Sequence, residues 1–215
     1  MKIIAFNGSP RKDWNTAILL KKALEGSASV GAKTELINLY DLNYRGCYSC
    51  FACKKLNGKS YGKCPIKDDL LPIFKKIENA KALILGSPIY LGRITGEIQS
   101  FFERLVFPYL TYTDPPNSLF SKKIPTAFIY TMGQPEEIAK HMGYEVLFNS
   151  IERFLTIIFG SSEKLVSFNA YQFEDYSKFH APKFDVTVKE KHRAEVFPMD
   201  CQKAFEMGER LVAID

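Results

Sequence analysis

Residues 2–16 read KIIAFNGSPRKDWNT, and this stretch decides the fold class. The apolar run at 2–6 ends in a turn rich in Gly and Pro at residues 8–10, as expected for a buried strand. From Thr16 onward, apolar residues recur at spacings of three and four, which predicts a helix with Asn15 or Thr16 as its N-cap. A buried strand, a tight turn and a helix in succession form the repeating unit of an α/β sheet.

The same unit recurs along the rest of the chain. Further apolar runs predict strands at 33–39, 81–85, 124–130 and 164–168. Helical patterns follow Asp68, extend from Thr95 to Leu105, occupy 135 to about 159 and close the chain from about 200 to 212. Five apolar strands alternating with helices predict an α/β fold with a parallel sheet covered on both faces.

We expect a single domain over residues 1–215, because no stretch of the sequence has the composition of a linker. Residues from about 170 to 198 are aromatic and polar with weak periodicity, and they are too long for a bare loop inside a domain. Three interpretations of this segment stay open: a lid, an oligomer contact or an ordered surface excursion.

Composition and charge limit the classes of partner. The formal net charge is +5 and the pI is about 8.8, but acids are interspersed among the bases. No basic stripe interleaved with aromatics is present, so nucleic acid is not expected as a partner. No apolar run reaches the roughly 18 residues of a membrane helix, and no targeting segment is recognisable. We therefore expect a cytoplasmic protein with no membrane partner, whose five cysteines are reduced.

The turn after the first strand has the chemistry of a phosphate site. A helix N-terminus presents unpaired N–H groups and partial positive charge. Hydrogen-bond donors come from Ser9, Asn15 and Thr16, and Arg11 or Lys12 adds a formal charge. Neither the Walker spacing nor GxGxxG is present. The alternative is an ordinary strand–turn–helix joint with a capping Asn or Thr.

The run GSPRKDWNT at 8–16 resembles the phosphate loop of the NADPH-dependent FMN reductase and iron-sulfur flavoprotein families. The resemblance implies bound FMN and a flavodoxin-like three-layer sandwich, with a five-stranded parallel sheet in the order 2-1-3-4-5. It assigns FMN contacts to Ser9, Arg11, Asn15 and Thr16. The sequence departs from the family at Asp13 and Trp14, where small residues are usual and an acid would oppose a phosphate.

A second loop follows the third strand, where residues 86–92 read GSPIYLG. A flavin ring needs an apolar face and backbone donors for its polar edge, and the segment resembles the family's second flavin-binding loop. The resemblance also implies a weaker contact after the fourth strand. The expected ring contacts are Pro88, Ile89, Tyr90, Leu91, Gly92, Thr131 and Gly133. The alternative is a buried aromatic turn with Tyr90 in the core.

A cysteine-rich loop spans about residues 46–65 and resembles that of the iron-sulfur flavoproteins. Its candidate metal ligands are Cys47, Cys50, Cys53 and Cys64. Three thiolates in the spacing CxxCxxC can hold one face of a [4Fe–4S] cluster, with a fourth on the remaining iron. Here the spacer before the fourth cysteine is longer than the family's usual gap. A [4Fe–4S] cluster, zinc and no metal at all remain open.

The three histidines pair with no acid or nucleophile motif, and we assign no catalytic side chain, as suits a flavoenzyme. The resemblance implies an FMN-dependent oxidoreductase that passes electrons from NAD(P)H, or a ferredoxin-like donor, to a quinone, flavin or other small acceptor. It also implies a homodimer or homotetramer. The alternatives are a flavodoxin-type electron carrier, an iron-sulfur flavoprotein that relays single electrons, and a binding module without FMN.

Overall fold

A computed structural model describes residues 1–213 of the chain. Its sheet is built from five long parallel strands and one short antiparallel strand. In chain order these are β1 (Lys2–Asn7), β2 (Lys33–Asn38), β3 (Ala82–Tyr90), β4 (Arg93–Ile94), β5 (Ile124–Thr131) and β6 (Gly160–Ser167). The parallel strands have the order β2-β1-β3-β5-β6, and β4 pairs only with β3. With the β4 hairpin set aside, this is the predicted order 2-1-3-4-5, so the flavodoxin-like prediction is confirmed.

Helices cover both faces of this sheet. They are α1 (Asn15–Ser29), α2 (Leu70–Glu78), α3 (Gly96–Val106), α4 (Glu136–His141), α5 (Tyr144–Phe159), α6 (Val186–Glu195) and α7 (Phe197–Ala213). None of the helices within residues 1–213 is long and apolar enough to cross a membrane.

Alternate residues of each central strand enter two separate cores. Ile3 and Ala5 of β1 pack with α1 and α7, whereas Ile4 and Phe6 pack with α2, α3 and α5. Burial on both faces explains why these strands read as continuous apolar runs. On the first face, α1 and α7 approach so closely that a Cβ added at Gly208 would lie 1.8 Å from the Ala23 carbonyl oxygen. This contact fixes the C-terminal helix against the helix that follows the phosphate loop.

Several predicted boundaries are wrong for identifiable reasons. The predicted helix at 135–159 is two helices, because Gly143 adopts a left-handed φ of 72° between them. The last strand begins at residue 160, since its polar first half pairs with β5 at the sheet edge and lacks an apolar signal. The third strand continues to Tyr90. The N-cap of α1 is Trp14, which makes no side-chain cap bond, instead of Asn15 or Thr16.

Candidate functional site

The candidate site is a cleft at the carboxyl ends of β1, β3 and β5. The chain leaves β1 toward β2 on one side and returns to β3 on the other, and this reversal is the position where open α/β sheets bind ligands. The cleft has two adjoining cavities of about 100 and 320 Å³. Both are lined by Ile89, Met132, Gly133 and Gln172.

The first cavity contains the predicted phosphate loop. Its walls include Ser9, Arg11, Trp14, Asn15, Thr16, Pro88, Tyr90, Thr131, Ala170 and Tyr171. The loop is anchored to the next strand and helix: the Gly8 N–H donates to the Gly86 carbonyl at 2.8 Å, and the Thr95 hydroxyl donates to the Gly8 carbonyl at 2.6 Å. A Cβ on Gly8 would lie 2.6 Å from that of Ile98, so only glycine allows this close approach.

Buried polar side chains converge on the N-terminus of α1. Ser9, Asn15 and Thr16 are each buried, and the Ser9 hydroxyl accepts from the Arg11 N–H at 3.1 Å. The Thr16 hydroxyl lies 2.7 Å from that of Thr131, which joins the phosphate loop to the end of β5. Because no side chain caps α1, its first N–H groups keep their partial positive charge for a ligand.

The departure at Asp13 and Trp14 is accommodated in the fold. Asp13 is largely exposed and pairs with Lys21 at 2.6 Å, so its carboxylate points away from the loop. The Arg11 guanidinium lies 4.5 Å from the centre of the Trp14 ring, a cation–π contact that restrains the arginine at the cleft. Asp13 and Trp14 therefore do not neutralise the positive charge that Arg11 brings to the phosphate loop.

The C-terminal excursion forms one wall of the first cavity. The Tyr171 carbonyl accepts from the Trp14 indole N–H at 2.9 Å and from the Asn15 amide at 2.8 Å. The Gln172 carbonyl accepts from Arg11 at 2.6 Å. Two consecutive carbonyls thus occupy donors of the phosphate loop, while most of the five N–H donors of Arg11 remain available to a second acceptor.

The loop after β3 forms a tight hairpin at the second cavity. Leu91 and Gly92 both have positive φ, 49° and 79°, as a two-residue turn between β3 and β4 requires. Pro88, Ile89 and Tyr90 line the first cavity, whereas Leu91 and Gly92 line the second together with Gly133. The structure therefore brings all eleven predicted FMN-contact positions to this cleft.

Four residues that sequence analysis missed complete the region. Tyr171 and Gln172 line the first cavity, and Lys189 and Arg193 of α6 lie behind it. All four follow the last strand, in a segment without clear periodicity. Long-range contacts of this kind leave no local signal in the sequence.

The four cysteines of the loop at 46–65 lie in different surroundings. Cys47 and Cys50 are exposed, Cys53 is buried, and Cys64 is half-buried. Cys47 faces a cavity lined by Gln99 and Phe107, whereas Cys64 faces a separate cavity. Within residues 1–213, no three Cys, His, Asp or Glu side chains are arranged to hold a metal ion.

The cysteine loop is anchored by two cations instead. The Lys54 ammonium donates to the carbonyls of Phe107, Pro108 and Leu110 at the end of α3. Arg104, only 2% exposed, binds both carboxylate oxygens of Asp68 and donates to the Arg45 carbonyl at 2.9 Å. These bonds fix the two ends of the loop and its centre against α3.

The model of the family described as NADPH-dependent FMN reductase matches residues 1–143. This span covers β1 to β5 and therefore all three loops of the cleft. The chain belongs to the NADPH-dependent FMN reductase family. The predicted family resemblance is thereby confirmed.

Relatives of this family member include iron-sulfur flavoproteins. One from Methanocaldococcus jannaschii is 40% identical over 104 residues, which cover 48% of this chain and 51% of that protein. One from Archaeoglobus fulgidus is 36% identical over 104 residues, covering 48% of each. The chain spans about half the length of the curated relatives it matches.

Solved structures confirm the fold over nearly the whole length of this chain. An NAD(P)H:quinone oxidoreductase from Methanothermobacter marburgensis superposes with a TM-score of 0.71 at 16% identity, covering 98% of both chains. An FMN-dependent NADH-azoreductase from Bacillus anthracis, solved with FMN, gives 0.65 at 11% identity, covering 99% of this chain and all of that one. At such identities the likeness establishes the fold alone.

The cleft has the chemistry that FMN requires. Its lining contains Arg11 but no Asp, Glu or His. The Gln172 side-chain oxygen is buried without a hydrogen-bond partner in residues 1–213, so it can accept a hydrogen bond from a ligand. A cationic end and an apolar end that are joined by such an acceptor suit FMN.

The cysteine loop does not have the arrangement that a [4Fe–4S] cluster or zinc requires. Burial raises the pKa of the Cys53 thiol, and the neighbouring Cys64 and Cys50 raise it further. Cys47 and Cys64 line separate cavities instead of a shared site. The thiols, as the described residues place them, do not fit a metal centre.

Proposed function

We propose that this chain binds FMN in the cleft and uses it as an oxidoreductase, passing electrons from NAD(P)H to a quinone, a flavin or another small acceptor. The observation that carries the proposal is the convergence of three loops at one cleft. The uncapped α1 N-terminus with Arg11, the apolar turn after β3 and the end of β5 supply its two chemical halves.

The phosphate end is built for a dianion. Arg11 provides charge-assisted hydrogen bonds, and the first turn of α1 provides backbone N–H groups. The buried Ser9, Asn15 and Thr16 side chains provide further donors. Since Asp13 points outward, its carboxylate does not oppose the phosphate.

The other end is built for a flat aromatic ring. Pro88, Ile89 and Tyr90 form an apolar wall, and the positive φ of Leu91 and Gly92 turns the backbone sharply at its edge. Burial raises the pKa of the Tyr90 hydroxyl, so it stays protonated and neutral near pH 7. When bound, FMN would supply the hydride and electron chemistry, which accounts for a cleft whose lining, among residues 1–213, has no acids or histidines.

A [4Fe–4S] cluster is a second candidate only because curated relatives carry the name iron-sulfur flavoprotein. The positions of the four cysteines do not support it. A flavodoxin-type electron carrier would share the FMN cleft but would have no substrate of its own. We propose a cytoplasmic location and a homodimer or homotetramer as well.

The proposal is tested by adding FMN to the purified protein and removing free flavin by gel filtration. We expect about one FMN per chain. We also expect NADPH or NADH oxidation with menadione or free FMN as acceptor, at rates well above those of flavin without protein. FMN binding without such turnover would favour the carrier. If the protein neither retains FMN after gel filtration nor quenches FMN fluorescence, the proposal is overturned.

A further inference from the structure

The inward-facing side of α6 is cationic. Most residues of this helix are exposed, and the ones directed toward the protein are Lys189, His192 and Arg193. Their spacing of three and four residues puts them on one helical face. A surface helix normally buries an apolar stripe, so this helix is not held for its hydrophobic burial.

Lys189 is a buried charge that has no counter-ion among residues 1–213. It is only 2% exposed, and within residues 1–213 no carboxylate lies within ion-pair distance of its ammonium. Its partners are three oxygens: the Gly133 carbonyl at 2.9 Å, the Asn169 side chain at 3.0 Å and the Ala170 carbonyl at 3.3 Å. Burial lowers the pKa of Lys189 to about 8. A buried cation of this kind costs free energy unless an anion approaches it.

Both carbonyls that Lys189 binds belong to residues lining the cleft. Gly133 follows β5, and Ala170 opens the C-terminal excursion. The ammonium therefore ties two turns together directly behind the cleft wall. Asn169 beside it has a positive φ of 47°, a conformation that asparagine tolerates and that this bond helps to hold.

Arg193 acts on another residue of the first cavity, Asn15 of the phosphate loop. It donates to the Asn15 side-chain oxygen at 2.7 Å. Because a guanidinium can only donate, the oxygen of this amide must face Arg193 and its NH₂ group must face the other way, toward Tyr171 in the cleft. Arg193 also packs 4.1 Å from the centre of the Phe197 ring, which fixes its position.

We propose that Lys189 and Arg193 are FMN-positioning residues supplied by α6. Arg193 orients the Asn15 amide at the phosphate end, and Lys189 holds the turns beside the ring and adds positive charge that favours the reduced, more negative flavin. This inference rests on the proposed FMN site. It gives the excursion at 170–198 a role, and both residues lie outside the span 1–143 that the family model matches.

The experiment compares Lys189→Met and Arg193→Met with Lys191→Met, which removes the same charge from an exposed position of the same helix. Dissociation constants are measured by fluorescence quenching for FMN, for riboflavin and, without air, for reduced FMN. Circular dichroism confirms that each variant folds. Arg193 is only half-buried, so its variant keeps the test informative if Lys189→Met fails to fold.

We expect Arg193→Met to weaken FMN binding about fivefold to tenfold while leaving riboflavin binding unchanged, since riboflavin lacks the phosphate. Lys189→Met should weaken both flavins about tenfold and should weaken reduced FMN more than oxidised FMN. Lys191→Met should change each constant less than twofold. Equal binding by all three variants would overturn this inference while leaving the FMN site intact, whereas loss of binding in the wild type would overturn the proposed function.

Discussion

The phosphate loop at 8–16 and the cysteine loop at 46–65 both concentrate functional side chains, but the fold treats them differently. The phosphate loop lies between a central strand and a helix, and Gly8 is bonded on both sides to neighbouring elements. The cysteine loop has almost no regular structure and is held to α3 by Lys54 and Arg104. Its thiols have different surroundings: Cys47 and Cys50 are exposed, whereas Cys53 is buried.

The difference between the two loops indicates when the spacing of residues in a sequence is enough to predict a site. A short spacing next to a parallel strand fixes geometry, because the sheet positions the backbone and the helix N-terminus follows at once. The same kind of spacing in a loop fixes only which residues are near one another. Ser49, Phe51 and Asn57 have positive φ in the cysteine loop, a conformation that is uncommon outside glycine and that the cysteine spacing does not predict.

The anchor of the cysteine loop should have the largest effect on stability. Arg104→Met would leave the Asp68 carboxylate without its partner, and breaking a buried ion pair in this way costs about 3 to 5 kcal/mol. Urea unfolding measures the loss, with Arg45→Met as the exposed control in the same loop. FMN affinity should change less than threefold, because the phosphate loop has its own anchors. A loss of stability below 1 kcal/mol would show that Arg104 does not anchor the loop.

The charge behind the cleft should make stability depend on pH. Burial lowers the native pKa of Lys189 to about 8, whereas its ordinary value is 10.5. Between these values the unfolded chain binds the extra proton, so this group makes the FMN-free protein more stable as the pH rises from 8 to 10.5. The gain is about 3 kcal/mol relative to Lys189→Met, measured by urea unfolding across that range. If the free energy of unfolding changes with pH in the same way in the wild type and in Lys189→Met, the lowered pKa of Lys189 is contradicted.

Arg11 should decide the affinity of the phosphate loop. Arg11→Met removes a charge-assisted donor worth about 1.5 to 3 kcal/mol, so the dissociation constant for FMN should rise about tenfold to a hundredfold. Lys12→Met is the matched control, because Lys12 pairs with Asp41 at 2.6 Å outside the cleft. Fluorescence quenching measures both. Equal dissociation constants for FMN in the two variants would show that Arg11 does not bind the phosphate.

The cysteines should have the smallest effect on flavin binding. The double variant Cys47→Ser/Cys64→Ser changes two thiols that line cavities separate from the cleft. We expect its dissociation constant for FMN to stay within twofold of the wild-type value in the same quenching assay. A rise of more than fivefold would mean that the two loops are coupled and that their comparison fails.

Much of this architecture could be predicted from sequence because its signals are local. The apolar runs, the Gly/Pro turns and the stretch GSPRKDWNT each lie within about ten residues. Lys189, Arg193 and Gln172 could not be predicted, because their contacts in the cleft join residues far apart in the chain, as with Arg11 and Gln172. Helix α6 was missed for a related reason: its buried face is cationic and gives no apolar periodicity.

The contrast between the two loops is decided by the visible absorption spectrum of protein purified without air and supplied with FMN, with iron measured on the same sample. We expect flavin bands at about one FMN per chain and no stoichiometric iron. About four irons per chain would show that the cysteine loop assembles a cluster and would contradict the contrast between the loops. No flavin, and none taken up from solution, would contradict the proposed function itself.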